Sequence, residues 1–147
     1  MVTNRSAPTA TVVPILVYED VGTALEFLTR AFGFTERLRA EYGGSISHAQ
    51  MDVGEGSIMM GRAGGPFRAP LDTATVSQYA TVHIDNVDQH CARARGAGAV
   101  ILKEPQDMPF GVRQYTALDI GGHWWTFSEN IRDVDPAEWG ARVATSS

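Results

Sequence analysis

The chain repeats one local order of elements. "TATVVPILVYEDVGTALEFLTRAFGFT" (residues 9–35) starts with an extended apolar run over Val12–Val17, and Pro14 within it suggests an edge position or a strand start. Asp20 then stands as a helix N-cap, Val21, Ala24, Leu25, Leu28 and Phe32 recur at helical spacing, and Gly33 sits where a helix ends. "QYATVHIDNVDQHCARARGAGAV" (78–100) repeats this order: an extended run over Tyr79–Ile84, a cap at Asn86 with Gln89 as capping-box partner, then Val87, Cys91 and Ala94 on one stripe. Asp20 matches Asn86 and Val21 matches Val87 at the same offset of 66 residues. A chain written twice in this way has to fold as two similar units.

Each predicted helix is followed by three strand-like pieces. They are residues 35–41, 46–53 and 57–60 in the first half, and 99–103, 113–119 and 124–128 in the second, with Gly-rich turns between most of them. Both halves read β-α-β-β-β, an α+β class with two tandem βαβββ modules at about 11–61 and 76–131. The Gly- and Pro-rich stretch at about 62–75 reads as a linker and candidate flap. Residues 11–147 form one domain in this reading, residues 1–10 a flexible N-terminus, and the tail after Trp139 is poorly ordered.

The 147 residues suffice for a core without staples, and the net charge of −5 argues against non-specific phosphate binding, so nucleic acid is not an expected partner. Cys91 is the only cysteine and cannot form an intramolecular disulfide; packing is its simplest role. The N-terminus lacks the apolar core of a signal peptide and no run is long enough to span a bilayer. A cytoplasmic protein with no membrane partner is expected.

Three stretches resemble the vicinal oxygen chelate superfamily of glyoxalases, bleomycin-resistance proteins and dioxygenases, and within it the PhnB-like branch: "ISHAQMDVGEGSIMMG" (46–61), "VHIDNVDQHCARARGAGA" (82–99) and "FGVRQYTALDIGGHWWTFSENIRDVDPAEW" (110–139). The resemblance covers nearly the whole chain. It implies two modules whose mixed sheets curve into an open cup holding a ligand or metal, and a homodimer that covers the sheet edges. One departure is the "DIGG" turn at 119–122, where relatives commonly carry Asp-Pro-x-Gly; its glycines can still supply a positive φ.

Members that use a divalent metal hold it with His, Gln or Glu on the first and last strands of each module. Mapped onto this chain, the positions that can be placed are Val13, Tyr79 and Thr126, and the first module's last strand offers Ile58, Met59 and Met60. These side chains are not the ligands such an ion needs, so no metal and no other cofactor is expected. The resemblance also marks Tyr79, Thr81 and His83 as facing the cup, together with Trp124 and Thr126 across the next strand. His83 is the best candidate for a ligand contact or a catalytic acid or base, against the plainer reading of a half-buried histidine bonded to a neighbour. Trp124 would stack on a ligand or fill the floor of the cup, while Trp125 and Phe127 bury against the helices. Phe110 is expected to extend an aromatic wall and Arg113 to pair with a carboxylate or phosphate on the ligand. His90 and His123 read as packing and turn residues, and His48 is left unassigned.

Two functions follow. The first is binding of a small, planar or apolar molecule in an aromatic-lined cup, as in drug or metabolite sequestration without metal. The alternative is a metal-dependent lyase, isomerase or dioxygenase of the same superfamily.

Overall fold

The computed structural model describes residues Val2–Thr145. The first module contains β1 (Ile15–Tyr18), α1 (Val21–Phe27), β2 (Thr35–Tyr42), β3 (Ser45–Val53) and β4 (Gly56–Arg62). The second contains β5 (Ala80–His83), α2 (Val87–Gly96), β6 (Val100–Asp107), β7 (Val112–Leu118) and β8 (Trp124–Asn130), followed by a short 3-10 turn over Pro136–Trp139. The two sheets have the same order, β1-β4-β3-β2 and β5-β8-β7-β6, with the first strand parallel to the last and the other pairs antiparallel. The α+β class and the duplicated βαβββ plan are therefore as the sequence indicates. Pro14 immediately precedes β1, an edge strand, where its missing N–H costs no ladder bond.

Both predicted N-caps form. The Asp20 carboxylate accepts the Thr23 N–H at 3.0 Å, and the Asn86 side-chain oxygen accepts the Gln89 N–H at 3.1 Å. The first helix departs from expectation in one respect: α1 continues as a π-helical stretch over Leu28–Phe32 before Gly33 ends it with φ of 77°. The wider turn buries Leu28, Ala31 and Phe32 together, and the Thr29 hydroxyl donates back to the Leu25 carbonyl at 2.8 Å.

The modules share one core. Phe32 lies 4.7 Å from Phe127, and Phe34 lies 5.2 Å from Trp125, ring centre to ring centre. His90 of α2 joins the modules by hydrogen bonds as well: Nε2–H donates to the Phe32 carbonyl at 2.9 Å, and Nδ1 accepts from the Tyr115 hydroxyl. This fixes the neutral tautomer. Burial, aided by the nearby Arg93 charge, holds the His90 pKa below its ordinary value, against the bond to the Phe32 carbonyl, which raises it.

A depressed histidine pKa has a defined sign. The unfolded chain takes up a proton below about pH 6.5 while the folded His90 stays neutral, so this stabilisation is complete above that pH and declines as pH falls towards the folded pKa. The melting temperature is expected to drop between about pH 7 and pH 5.5, with a flatter slope in His90→Gln. Equal slopes in the two proteins would contradict this role.

Candidate functional site

Strand register decides which side chains can meet a ligand. Ala49, Met51, Met60, Tyr115, Ala117, Trp125 and Phe127 are buried in the core with the helices, so the alternate residues occupy the opposite, open face of each sheet. In the second module Thr81 pairs with Thr126 and His83 with Ser128. Tyr79, Thr81, His83, Trp124 and Thr126 therefore stand on one side, as the period of two predicts.

The structure gathers some of these and separates others. Two adjoining pockets of about 440 and 320 Å³ lie between β1, the start of β5 and β8, and the linker, and both are lined by Ile15, Gln78, His123 and Trp124. Tyr79 and Thr81 line the smaller one. The Tyr79 and Trp124 rings are 6.4 Å apart. His83 lies at the other end of its strand, beside a separate hollow formed with Ile84, Asp85, Glu129 and Asn130. Its ladder partner Ser128 is four residues from Trp124, about 13 Å at the rise of an extended strand.

Besides His83, three residues expected at the ligand are placed elsewhere: Thr126 is only 4% exposed and lines neither Trp124 pocket, and Arg113 and Phe110 make other contacts. Thr116 pairs with Thr126 on the open face, which turns its neighbours Tyr115 and Ala117, and with them Arg113, to the helix side. There the Arg113 guanidinium bonds Asp88 of α2 at 3.0 Å and Asp107 of β6 at 2.9 Å. Phe110 lies in the β6–β7 loop with its ring 5.6 Å from Trp139 and does not line either Trp124 pocket.

The pocket wall also contains residues whose part sequence periodicity did not reveal. Ala69, Pro70, Leu71 and Asp72 of the linker line the larger pocket, and the Thr73 carbonyl accepts the Trp124 indole N–H at 2.9 Å. That bond fixes one edge of the indole. His123, read as a turn residue, lines both pockets; its Nε2–H donates to the Val17 carbonyl at 2.8 Å and its ring is 4.7 Å from Tyr18.

The turn before β8 supports this wall. Asp119 is only 4% exposed, yet its carboxylate accepts four hydrogen bonds: Tyr18 O–H at 2.6 Å, Trp125 Nε1–H at 3.0 Å, and the Gly121 and His123 backbone N–H groups at 2.9 Å each. Burial, then the Asp119 charge and hydrogen bond, raise the Tyr18 pKa well above its ordinary value. The glycines of "DIGG" divide the work: Gly122 takes φ of 91°, whereas a Cβ on Gly121 would stand 2.2 Å from the Tyr18 ring.

The positions tested for metal binding do not fit a divalent ion. Ile15 pairs with Met59 as Thr81 pairs with Thr126, so the last-strand positions are a thioether and a hydroxyl. The Thr126 hydroxyl is already bonded to that of Thr116 at 2.8 Å, and the remaining positions are Val13 and the 60% exposed phenol Tyr79. Among the described residues no three His, Cys, Asp or Glu stand together as a metal cluster. A divalent cation held as in this superfamily needs imidazole, carboxylate or carboxamide donors, and these mapped positions carry none.

Comparison with known proteins agrees with this architecture. The structure of TioX from Micromonospora sp. ML1 is similar at 36% identity, covering 83% of this chain and 99% of that one with a TM-score of 0.69. The fosfomycin resistance protein FosX from Listeria monocytogenes, complexed with Mn(II) and sulfate, shares the fold at 13% identity and a TM-score of 0.66, covering 83% of this chain and 90% of its own. An uncharacterised protein of Mycobacterium tuberculosis (strain H37Rv) is 27% identical over 140 residues, 90% of this chain and 81% of that protein. The family model of the Glyoxalase/Bleomycin resistance protein/Dioxygenase superfamily matches residues 10–127, and the chain belongs to that superfamily.

Proposed function

We propose that this protein binds a small planar or apolar molecule against Trp124, in the seam between its modules, without a metal ion. The observation that carries this reading is the position of the Trp124 indole. It forms a wall shared by two adjoining pockets, and its N–H is held by the linker carbonyl of Thr73. An indole held before the ligand arrives loses little further freedom on binding and offers a flat face for stacking. Pro14, Ile15, Leu16 and Tyr79 add apolar lining, while Gln78, Thr81 and His123 provide a few polar groups to orient the guest.

The reading includes a homodimer in the cytoplasm. Among the described residues the outer edges of β1 and β5 have no strand partner, and Ile15 (63% exposed), Leu71 and Tyr79 expose apolar surface near them. No helix among the described residues is long and apolar enough to cross a membrane. The finer assignment to the PhnB-like branch rests on the three sequence stretches quoted above.

Elemental analysis of protein purified without chelator or affinity metal is expected to find well below one equivalent of metal per chain. Added manganese, zinc, nickel or iron(II) is expected to leave the melting temperature unchanged. About one metal per chain, or a saturable thermal stabilisation, would overturn the metal-free reading and favour a metalloenzyme of the same superfamily.

A further inference from the structure

The open face of the first module is covered by the chain's own N-terminus. In β3, Gln50 is only 3% exposed although it faces away from the core, and its carboxamide is fully engaged. Its oxygen accepts from Arg37 Nη1 at 2.6 Å, and its Nε2 donates to the Ser6 carbonyl at 3.0 Å and approaches His48 Nε2 at 3.1 Å. Arg37 is brought to this face by a register shift in β2 between Glu36 and Leu38. Its Nη2 donates to the carbonyls of both Arg5 and Ala7 at 3.0 Å.

Three successive carbonyls, of residues 5, 6 and 7, are thus read by one guanidinium and one carboxamide. Among the described residues the hydrogen bonds between arm and face use main-chain oxygens of the arm and none of its side chains. The arm's own N–H groups turn inward instead, from Ser6 to the Asn4 side chain and from Ala7 to the Asn4 carbonyl. Such a face recognises a row of carbonyl oxygens rather than a particular sequence. Without the arm, a buried carboxamide and a guanidinium would be left to find other acceptors.

We propose that Arg37 and Gln50, with His48 beside them, form a binding site for the carbonyls of a peptide-like segment folded into a tight turn, and that residues 5–7, which make such a turn through the Ala7 N–H to Asn4 carbonyl bond, occupy it in cis as a displaceable self-ligand. The site is separate from the Trp124 pockets and does not depend on what those bind. A tethered segment has an effective concentration in the millimolar range, so an arm that stays docked implies a dissociation constant for the free segment of about 1 mM or below.

The test uses the synthetic peptide VTNRSAPT, which is residues 2–9, and protein shortened to begin at Ala10. The arm contributes no residue to the buried core, so the shortened chain is expected to keep its fold, checked by circular dichroism and melting temperature. By amide chemical shifts the peptide should bind the shortened protein saturably, bind the full-length protein about tenfold more weakly or not at all, and lose at least about tenfold on Arg37→Met in the shortened chain. No saturation up to about 5 mM would overturn the proposal, as would equal affinity with and without the arm. A second measurement uses the full chain alone: brief trypsin treatment should cut after Arg5 about tenfold faster in Arg37→Met than in the parent protein. Equal cutting rates would show that the arm is not held and would also overturn it.

Discussion

Asp119→Ala is expected to lower the unfolding free energy by about 3–5 kcal/mol, enough to threaten a domain of ordinary stability. The loss has two sources. Four donors lose their acceptor, two of them buried side chains in different modules, Tyr18 in β1 and Trp125 in β8. Each buried donor left without a partner costs about 1–3 kcal/mol, less where water can enter. The turn that places His123 and Trp124 also loses its organising contact. Asp119→Asn keeps one oxygen but turns N–H groups towards donors, and should recover only part of the loss. Tyr18→Phe removes a single bond and should cost about 1–2 kcal/mol. Urea unfolding with an unchanged denaturant slope would measure all three. A loss below about 1 kcal/mol for Asp119→Ala would show that this network does not join the modules.

The adjacent tryptophans are expected to separate stability from binding. Trp125 is 1% exposed, packs against Phe32 and Phe34, and donates its N–H to Asp119. Trp125→Ala should therefore cost about 3–5 kcal/mol through transfer and cavity terms. Trp124 is half-buried on the open face, and its indole N–H is bonded to the linker carbonyl of Thr73. Trp124→Ala should cost no more than about 1 kcal/mol while removing the stacking surface. The reverse ordering of stabilities would mean that the two side chains had exchanged roles.

The duplication and the caps at Asp20 and Asn86 were legible because local spacing determines them. The open-face set of Tyr79, Thr81, His83, Trp124 and Thr126 was legible too, since side chains alternate along a strand. Arg113 was not: its face depends on the register of β7 against β8, which the five-residue connection at 119–123 sets and which no apolar pattern announces. Asp119 was visible only as part of an altered turn. Its burial comes from Tyr18, 101 residues away in sequence. The linker's contribution to the pocket and the docking of residues 5–7 rest on main-chain carbonyls, and these leave no trace in side-chain periodicity. The π-helical stretch was likewise hidden, because the spacing of Val21, Leu25, Leu28 and Phe32 suits an ordinary helix as well.

The central claim is that this superfamily member holds its guest against the Trp124 indole and not on a metal. The most direct measurement is a fluorescence titration with anilinonaphthalene sulfonate, a planar aromatic probe, on the parent protein and on Trp124→Ala, in EDTA and again with added manganese. Saturable binding at one probe per chain, indifferent to manganese and weakened about tenfold by the substitution, is the predicted result. Equal affinity in the two proteins, or binding that appears only with manganese, would contradict the account.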